Sequence, residues 1–382
     1  MRIQHNNKRV IVALSGGVDS SVAAYLLKEQ GYEVEGVYIQ VWSNKDYLTE
    51  CPWQDEIESA AGAAKAIDIP FRSIHLEEEY KKRVVEYMVE EYRAGITPNP
   101  DIMCNSEIKF GVFLEWAMGQ GADYVATGHY ARKELRIKNY ELRIKKREYR
   151  LLKSIDKNKD QSYFLYTLTR EKLAKILFPI GEYTKPQVRK IAKEAGLPNW
   201  NRKDSQGICF IGKVELARFL QEYIKPKKGD VITIDGKKIG EHNGVFYYTI
   251  GQRHGLDLGS HTGTEAYYIA EKRLKDNVIV VAKRKDNPAL FTKALMCGKV
   301  NWINSPVETQ NFVSLHCTAK IRYRQEDQEC TIKKVKSQKS KVKSNVYHIV
   351  FKHPQWAAAP GQSIVFYNGE ECLGGGVILS SK

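Results

Sequence analysis

The fold of the first part of the chain is decided by the stretch Leu14-Ser15-Gly16-Gly17-Val18-Asp19-Ser20-Ser21. Residues 9–14 are mostly apolar and β-branched, which predicts a strand buried on both faces. After the stretch, apolar residues recur at helical spacing until Gly31, which predicts a helix that ends there. A glycine pair in a tight turn between strand and helix directs backbone N–H groups and the positive end of the helix dipole at one point. The stretch therefore predicts a phosphate-binding loop, with Asp19 as a candidate magnesium ligand.

The alternative for such a loop is a glycine-containing turn that binds nothing. The complete string Ser-Gly-Gly-Val-Asp-Ser-Ser is more particular than that, and it resembles the PP-loop of the ATP pyrophosphatases. The Walker-type P-loop pattern is absent, because no Gly-Lys-Ser/Thr closes the loop. The resemblance implies an enzyme that cleaves ATP to AMP and pyrophosphate and uses AMP to activate a carbonyl oxygen.

Length and composition indicate a globular protein of two or three domains. The chain has 382 residues, which is long for one core, and 42% of them are hydrophobic. No run approaches the roughly 20 apolar residues of a membrane helix, and the first residues contain no apolar stretch like a signal peptide. We therefore expect a cytoplasmic protein. Seven cysteines without a Cys-x-x-Cys pair argue against a disulfide scaffold and against a structural zinc site.

Two short stretches account for most of the net charge of +15. Residues 132–153 contain ten Lys or Arg and three Glu, and residues 331–352 contain seven Lys and no acidic residue. The rest of the chain is nearly balanced. Runs of like charge usually form solvated faces, so the basicity agrees with an RNA partner without establishing one.

Strand and helix patterns alternate from Lys8 to about Cys209, which indicates βαβ units and a parallel sheet. Ligands bind beyond the carboxyl ends of the strands in such sheets, so we expect residues 15–20 and 128–129 to face one pocket. The predicted strands are residues 9–14, 32–39, 71–76 and 124–127, and the predicted helices are residues 55–66, 77–94, 105–118, 160–177 and 185–195.

A near-repeat in residues 134–147 alternates apolar and polar positions, which predicts a short two-stranded hairpin inserted on the surface of the sheet domain. Lys and Ser dominate residues 333–343, which we expect to form an exposed excursion between strands. We assign neither stretch a role.

The character of the sequence changes after about Gly212, where short strands and glycine turns replace the α/β pattern. From about Pro288 the predicted strands are longer, at residues 312–324, 346–352 and 363–367, which indicates a small β-barrel. We therefore predict an α/β fold in three parts. They are a parallel-sheet PP-loop domain of the adenine-nucleotide α-hydrolase type at residues 1–212, a small central domain at 213–286 and a C-terminal β-barrel at 287–382.

Two cysteines lie in settings that favour sulfur chemistry. Asp101 and Cys104 are three residues apart near a predicted helix start, so their side chains share one face, and a helix N-terminus activates a thiol. Cys209 follows a polar loop. Cysteines are more often small buried hydrophobes, and we interpret the other five as structural: Cys51, Cys297, Cys317, Cys330 and Cys372.

Seven motifs follow one another along nearly the whole chain, from residue 9 to about residue 376. They are the PP-loop, Asn-Pro-Asp-x-x-Cys-Asn, Ala-Thr-Gly-His-Tyr, Lys-Asp-Gln-Ser-Tyr-Phe-Leu, Gly-Ile-Cys-Phe-Ile-Gly, Thr-Ile-Gly-Gln-Arg-His-Gly and Arg-Tyr-Arg-Gln. Together they resemble the bacterial tRNA-specific 2-thiouridylases. Seven separate matches are far more specific than any one of them.

The resemblance implies a role for each matching residue. The wobble uridine of a tRNA would contact Asn99, Pro100 and Asp101, and Asp101 would serve as a general acid or base. ATP would be bound by Ala13, Leu14, Ser15, Gly16, Gly17, Val18, Asp19 and Ser20, with Ile39 and Gly128 lining the adenosine site. The other implied tRNA contacts are His129, Lys159, Asp160, Gln161, Arg322, Tyr323 and Gln362, although His129 and Tyr323 are equally compatible with packed or solvated side chains.

The two thiols have linked roles in the resemblance. Cys209 would carry sulfur as a persulfide, and Cys104 would either release sulfide from it or assist directly, leaving a Cys104–Cys209 disulfide. The implied cofactors are ATP and magnesium. The implied partners are a sulfur-donor protein, either a cysteine desulfurase or a relay protein, and the tRNAs for Lys, Glu and Gln, with no membrane. The family position that matches Ile39 is usually Met, and the hairpin and the Lys-rich stretch depart from the family pattern.

The implied chemistry is self-consistent. The uridine C2 oxygen is a poor leaving group, adenylation converts it into a good one, and a persulfide is a soft nucleophile at C2. The base has to leave the anticodon stack, which explains further domains that grip the tRNA. Two alternatives stay open. A PP-loop ligase for a small molecule needs neither Cys104 nor Cys209, and a non-catalytic RNA-binding relative has no need of Asp19 and both thiols.

Overall fold

The structure, a computed structural model, describes residues 7–42, 53–139, 145–203, 216–258, 266–304, 314–335 and 345–381. Up to residue 203 its elements are β1 (Arg9–Ala13), α1 (Val18–Glu29), β2 (Glu33–Gln40), α2 (Trp53–Ile67), β3 (Phe71–His75), α3 (Glu77–Tyr80), α4 (Glu86–Arg93), α5 (Pro100–Met103), α6 (Phe113–Gly119), β4 (Tyr124–Ala126), β5 (Ala131–Asn139), β6 (Lys145–Lys153), α7 (Arg170–Ala174), β7 (Ile176–Leu177) and α8 (Lys185–Glu194). Two π-helical segments join α3 to α4 at Lys81–Val85 and α5 to α6 at Cys104–Val112.

Five parallel strands form the predicted sheet, in the order β3-β2-β1-β4-β7. The central strand β1 is buried on both faces, and its residues Val10, Ile11 and Val12 are inaccessible to solvent. Burial of each such side chain stabilises the fold by about 1.5–3 kcal/mol. The chain runs outward from β1 to β3 and then returns to β4 on the other side of β1. Ligands bind beyond the strand ends at such a reversal.

The helix predicted over residues 160–177 is wrong. This stretch forms a 3₁₀ turn at Ser162–Leu165, then α7, then the strand β7, which pairs with β4. Its apolar residues do recur at helical spacing, but they are buried in one core cluster with residues of the hairpin β5–β6 and of the C-terminal part of the chain. Contacts with distant segments therefore override the local helical pattern.

The central part of the chain contains a second sheet. Its elements are α9 (Leu216–Tyr223), β8 (Gly229–Thr233), β9 (Lys238–His242), β10 (Asp257–Leu258), β11 (Tyr267–Arg273) and β12 (Val278–Lys283), and its strand order is β10-β9-β8-β12-β11. The sequence did not predict α9. This helix buries Phe219 and Leu220 in a cluster that also contains Tyr80 and Val231, so the central part packs directly on the parallel-sheet domain.

The C-terminal part of the chain is the predicted β-barrel. Its strands are β13 (Phe291–Trp302), β14 (Leu315–Lys320), β15 (Gln328–Val335), β16 (Val346–Trp356), β17 (Ser363–Asn368) and β18 (Glu371–Ser380). They follow the order β13-β16-β15-β14-β17-β18, and β13 also pairs with β18, which closes the barrel. Lys333 and Lys334 belong to β15, whereas residues 336–344 of the Lys-rich stretch lie outside the described residues.

The hairpin of β5 and β6 is longer than predicted, and its placement on the surface of the sheet domain is wrong. Leu151 and Leu152 of β6 pair with Cys372 and Glu371 of β18, so the hairpin extends the C-terminal sheet. Buried Leu151 packs in the same cluster as Tyr367 of the barrel. The hairpin therefore joins the first and last parts of the fold. Residues 140–144 at its tip lie outside the described residues.

Thr97 lies where the three parts of the fold meet. Its N–H donates to the carbonyl of Pro360 in the barrel, at 3.1 Å. Its hydroxyl lies 3.2 Å from that of Thr249 in the central part. A Cβ on Gly361 would overlap Ile96, so the barrel approaches this segment too closely for a side chain there. Among the described residues, no helix is long and apolar enough to cross a membrane.

Candidate nucleotide and thiol site

The predicted phosphate loop follows β1 at the carboxyl end of the sheet. Leu14 N–H donates to Val37 of β2 at 2.9 Å, which continues the sheet by one residue. Gly16 has a φ of +75°, and a Cβ there would overlap the carbonyl of Glu56. Gly17 is the N-cap of α1 in extended conformation. Glycine is therefore required at position 16, where the turn brings the first N–H groups of α1 to the strand end.

Serine hydroxyl groups of the loop itself form hydrogen bonds to its backbone. Ser20 Oγ accepts from the Ser15 N–H at 3.2 Å and donates to the Gly17 carbonyl at 3.0 Å. Ser21 Oγ donates to the same carbonyl at 3.1 Å. Ser20 and Ser21 are buried, whereas Ser15 is exposed. Ser15 and the backbone N–H groups are therefore the donors that the loop presents to a ligand.

Asn199, which the sequence analysis did not identify, forms hydrogen bonds to the phosphate loop from a distant part of the chain. Its amide nitrogen donates to the Gly16 carbonyl and to Ser21 Oγ, both at 2.9 Å. Ser59 Oγ donates to the same Gly16 carbonyl at 2.8 Å. Asn199 is 5% exposed, and with Ser59 it also lines a cavity of about 390 Å³ between α2 and residues 198–202. These bonds fix the peptide that the phosphates have to approach.

Asp19 is engaged by two side chains from other parts of the domain. Lys185, the first residue of α8, donates to both carboxylate oxygens, at 2.7 and 2.8 Å. Tyr130 OH donates to Oδ1 at 2.8 Å. The Lys185 N–H in turn donates to buried Asp156 at 2.8 Å, which fixes the start of α8. The pair thus places a lysine ammonium beside the first turn of α1.

Asp19 was predicted to hold magnesium. Both of its oxygens accept from the Lys185 ammonium, and the described part of the chain has no group of three His, Cys, Asp or Glu residues that could hold a metal. Both Asp19 oxygens therefore already have a cationic partner in this structure. The predicted role of Asp19 as a magnesium ligand stays a prediction.

Gly128 brings the second strand end to the loop. It follows β4, and a Cβ there would lie 2.5 Å from the Ser20 nitrogen and 2.7 Å from the Asp19 carbonyl carbon. Gly128 therefore lies directly against the loop backbone, and the expectation that residues 15–20 and 128–129 face one pocket stays a prediction. Ile39 is 3% exposed in the core cluster beneath this edge, and Val18 is 3% exposed at the start of α1. Their predicted place in the ATP site stays a prediction.

His129 is a packed histidine in this structure. It is 7% exposed, its Nδ1 lies 2.8 Å from Thr127 Oγ1, and its ring lies against Phe110 and Phe178. Burial, with a smaller contribution from Lys109, lowers the pKa of His129 well below its usual value, so the ring is neutral at pH 7. Its predicted contact with tRNA stays a prediction.

We call residues 99–112, which contain Cys104, the thiol segment. It begins at Asn99, which is the N-cap of α5. Asn99 Oδ1 accepts from the Ile102 N–H at 3.3 Å, and Pro100 occupies the first helical position. This cap starts the helix five residues before the predicted start at residue 105. Cys104 is inaccessible to solvent and opens the π-helical segment Cys104–Val112. Phe110 of that segment contacts His129, which follows Gly128, so the thiol segment is packed against the residues that flank the phosphate loop.

The remaining predicted tRNA contacts lie in two places. Gln161 accepts from the Tyr130 N–H at 2.9 Å, and Asp160 accepts from the backbone of Ser154 and Ser162. Burial raises the pKa of Asp160, which is 6% exposed, so Asp160 braces the fold in this structure. The third residue of this motif, Lys159, is half-buried.

The barrel contributes the other predicted contacts. The Arg322 guanidinium lies over the Trp356 ring at 4.4 Å, and the Tyr323 ring lies 4.6 Å from that of Phe164. Gln362 donates to the carbonyls of Thr97 and Pro98, both at 3.0 Å, just before Asn99. The tRNA contacts of these residues stay predictions.

The other cysteines divide into three groups. Cys209 and Cys51 lie outside the described residues, so the predicted Cys104–Cys209 pair is not seen. Cys297 and Cys372 are buried, and burial raises the pKa of both thiols. The Sγ atoms of Cys317 and Cys330 lie 3.8 Å apart across β14 and β15 as free thiols, a proximity that the sequence did not indicate.

Comparison with known proteins gives matches over nearly the whole chain. Family profiles match for the tRNA methyl transferase HUP domain at residues 8–213, the tRNA methyl transferase PRC-barrel domain at 217–283 and the aminomethyltransferase beta-barrel domain at 292–378. The tRNA-specific 2-thiouridylase MnmA of Marinobacter nauticus is 46% identical over 97% of this chain and 91% of its own. The protein of the same name from Streptococcus thermophilus is 46% identical over 98% of this chain and 96% of its own.

Solved structures resemble the chain more distantly. A 4-thiouridine synthetase in complex with RNA and ATP is 17% identical, with a TM-score of 0.32, and the match covers 56% of this chain and 50% of the synthetase.

Proposed function

The chain belongs to the tRNA-specific 2-thiouridylase family, and on this basis we propose that it replaces the C2 oxygen of the wobble uridine of tRNA by sulfur. It is a PP-loop enzyme of the tRNA sulfurtransferase type. ATP is the activating substrate. The products are 2-thiouridine in tRNA, AMP and pyrophosphate.

One structural observation carries this proposal: the contact between the thiol segment and the phosphate loop. Phe110 lies against His129, and Gly128 before it lies against the backbone of Asp19 and Ser20. A base activated at the loop is therefore formed close to the segment that carries Cys104. A ligase for a small molecule has no use for a thiol segment packed in this way.

Adenylation comes first in the proposed reaction. The uridine O2 attacks the α-phosphorus of ATP, and pyrophosphate leaves with the electron pair of the broken P–O bond. The N–H groups at the start of α1 and the Ser15 hydroxyl bind phosphate oxygens. Lys185, held beside the loop by Asp19, adds a positive charge where negative charge develops. Asp101 acts on the uracil ring as a general acid or base.

Sulfur transfer completes the reaction by one of two balanced routes. In the first, the Cys104 thiolate attacks Sγ of the Cys209 persulfide, which forms the disulfide and releases sulfide, and sulfide then displaces AMP from C2. In the second, the terminal persulfide sulfur displaces AMP, and Cys104 then attacks Sγ of Cys209, which frees the thiocarbonyl and forms the same disulfide. A thiol reductant restores both cysteines in either route.

We also propose which residues contact the tRNA, both at the reacting base and beyond it. Asn99, Pro100 and Asp101 meet the base, while Lys159, Gln161 and the barrel residues Arg322, Tyr323 and Gln362 meet the rest of the anticodon arm. His129 and Asp160 are included through the family resemblance, although both are buried here. Basic residues of the hairpin β5–β6 agree with a polyanionic partner.

The finer assignments also belong to the proposal. The tRNAs are those for Lys, Glu and Gln, the sulfur comes from a cysteine desulfurase or a relay protein, and the reaction takes place in the cytoplasm. Magnesium accompanies ATP, and no step is assigned to it. The domain limits are residues 1–212, 213–286 and 287–382.

The test uses purified protein, ATP, a cysteine desulfurase with labelled cysteine, and an unmodified tRNA with uridine at the wobble position. We expect labelled sulfur in the tRNA, with AMP and pyrophosphate formed in equal amount to 2-thiouridine. The same tRNA with cytidine at that position should receive none. ATP cleavage without tRNA thiolation would favour a small-molecule ligase, and the absence of both would favour a non-catalytic RNA-binding relative.

A further inference from the structure

The thiol segment contains two asparagines whose amide oxygens are used differently. Asn99 Oδ1 accepts from the Ile102 N–H as the cap of α5. Asn105 is 4% exposed, and its Oδ1 is buried without a hydrogen-bond partner in the described part of the chain. The oxygen of Asn99 is therefore occupied by the helix itself, whereas that of Asn105 has no partner among the described residues. A buried acceptor without a partner is costly, so its retention calls for an explanation.

Asn105 differs from the other asparagines with an unpaired oxygen. Asn199 and Asn304 also have a buried Oδ1 without a partner among the residues that the structure describes, but the amide nitrogen of each donates to a backbone carbonyl, at 2.9 Å in both cases. No hydrogen bond of the Asn105 side chain to another described residue is seen. A structural role accounts for Asn199 and Asn304, and it does not account for Asn105.

The position of Asn105 connects it with the reacting base. Asp101 and Asn105 are four residues apart on one continuous helix, which places them on the same face, and Cys104 is the next residue. The π-helical segment begins at Cys104, and such widened turns are frequent at functional sites. Asp101 and Cys104 are the residues assigned above to the uracil ring and to its sulfur.

We infer that Asn105 is a specificity-determining residue whose Oδ1 accepts the N3–H of the target uracil. This inference rests on the proposed function. N3 is bonded to C2, the carbon at which sulfur replaces oxygen, so a group that holds N3–H also orients C2. Cys104 and Asn105 are both buried in the absence of a substrate, so the base has to displace the residues that cover them.

The test compares two tRNAs that differ only in the substituent on N3 of the wobble base. One carries uridine at the wobble position and the other 3-methyluridine, which has no N3–H. Thiolation and pyrophosphate release are measured with wild-type protein and with the Asn105→Ala, Asn105→Leu and Asn304→Ala variants. We expect wild type to prefer uridine strongly. Asn105→Ala should lower kcat/KM for uridine about ten- to a hundred-fold, which is the usual effect of one lost hydrogen bond to a buried group, and should remove most of the preference.

A stability measurement separates this role from a structural one. Asn105→Leu keeps the volume and removes an unpaired acceptor, so its melting temperature should be equal to or above that of wild type while its thiolation rate falls. Asn304→Ala should lower the melting temperature and keep the preference for uridine. A wild type that thiolates neither tRNA would overturn the proposed function and this inference together. An active wild type whose Asn105→Ala variant keeps the full preference would overturn the role of Asn105 alone.

Discussion

Lys185 Nζ lies 2.7 and 2.8 Å from the two carboxylate oxygens of Asp19. The side chains are 10% and 29% exposed, so the pair is only partly screened by water. It connects the first turn of α1 with the first residue of α8, and Tyr130 completes the hydrogen bonding of the carboxylate. Asp19 thus holds a cation beside the phosphate loop before any ligand is bound.

Replacement of this lysine should impair ATP cleavage. Lys185→Met keeps most of the apolar stem and removes the charge, so pyrophosphate release should fall about a hundred-fold, the scale of one lost transition-state contact. Initial rates of pyrophosphate formation with saturating tRNA check this. Lys190→Met is the matched control, because Lys190 lies on the same helix and forms an exposed ion pair with Glu194. Equal rates for Lys185→Met and wild type would show that the ammonium does not act on the phosphates.

Asn199 should matter for ATP affinity, because it fixes the Gly16 peptide. Asn199→Ala removes the bonds to Gly16 and Ser21, which should raise the KM for ATP about ten-fold and lower the free energy of unfolding by about 1–2 kcal/mol. Asn201→Ala is the control, since Asn201 lines the same cavity and is exposed. A normal KM for ATP in the Asn199→Ala variant would mean that the loop keeps its shape without this anchor.

Gln362 should couple the barrel to the thiol segment. Gln362→Leu leaves the carbonyls of Thr97 and Pro98 without a donor, so Asn99 and the residues after it are less well positioned. Single-turnover thiolation should slow about ten-fold, while tRNA binding measured separately changes less. Gln328→Leu, at a half-buried barrel position whose side chain bonds to Glu326 and Gln355, should leave the rate unchanged. The same loss of rate in both variants would refute a specific link through Gln362.

His129 should make stability depend on pH. Its pKa in the folded protein lies well below 6.5, because burial disfavours the charged ring. As the pH falls below about 6.5, the unfolded chain binds a proton that the folded chain excludes, so the free energy of unfolding decreases. Above about pH 6.5 the stability contribution of the neutral His129 ring is fully present. The contribution is at most about 1.4 kcal/mol per pH unit.

Urea unfolding between pH 5 and pH 8 measures this dependence. His129→Gln should reduce the slope of unfolding free energy against pH, and His353→Gln should not, since His353 is exposed. A His129→Gln variant with the slope of wild type would show that the pKa of His129 is the same in the folded and the unfolded chain.

The parts of the fold that the sequence predicted are those with a local cause. The apolar run at β1 and the glycine pair after it determine a strand, a turn and a helix within about twenty residues. The strand β7 has two residues within a helical pattern, and it forms only because β4 offers it a parallel edge. The alternation in the hairpin predicted two strands, but its partner β18 lies more than two hundred residues away, and nothing local indicates that pairing.

The candidate site likewise contains residues that local sequence patterns predict and residues that only the fold brings to the site. The loop residues and the Asp101–Cys104 spacing are local patterns, so a sequence search finds them. Lys185 and Asn199 reach the loop across 166 and 183 residues, from a helix start and from a turn with ordinary compositions. No sequence signal distinguishes Lys185 from other lysines, and the unpaired oxygen of Asn105 is visible only once its surroundings are known.

In the proposed reaction this chain moves sulfur from a cysteine to tRNA by way of two thiols. Single-turnover transfer from a desulfurase loaded with labelled cysteine tests it most directly, with wild type, Cys209→Ala and Cys104→Ser compared for label on protein and on tRNA. We predict label on both in wild type, on neither in Cys209→Ala, and on protein alone in Cys104→Ser. Label that reaches tRNA at the wild-type rate in Cys209→Ala would contradict the account.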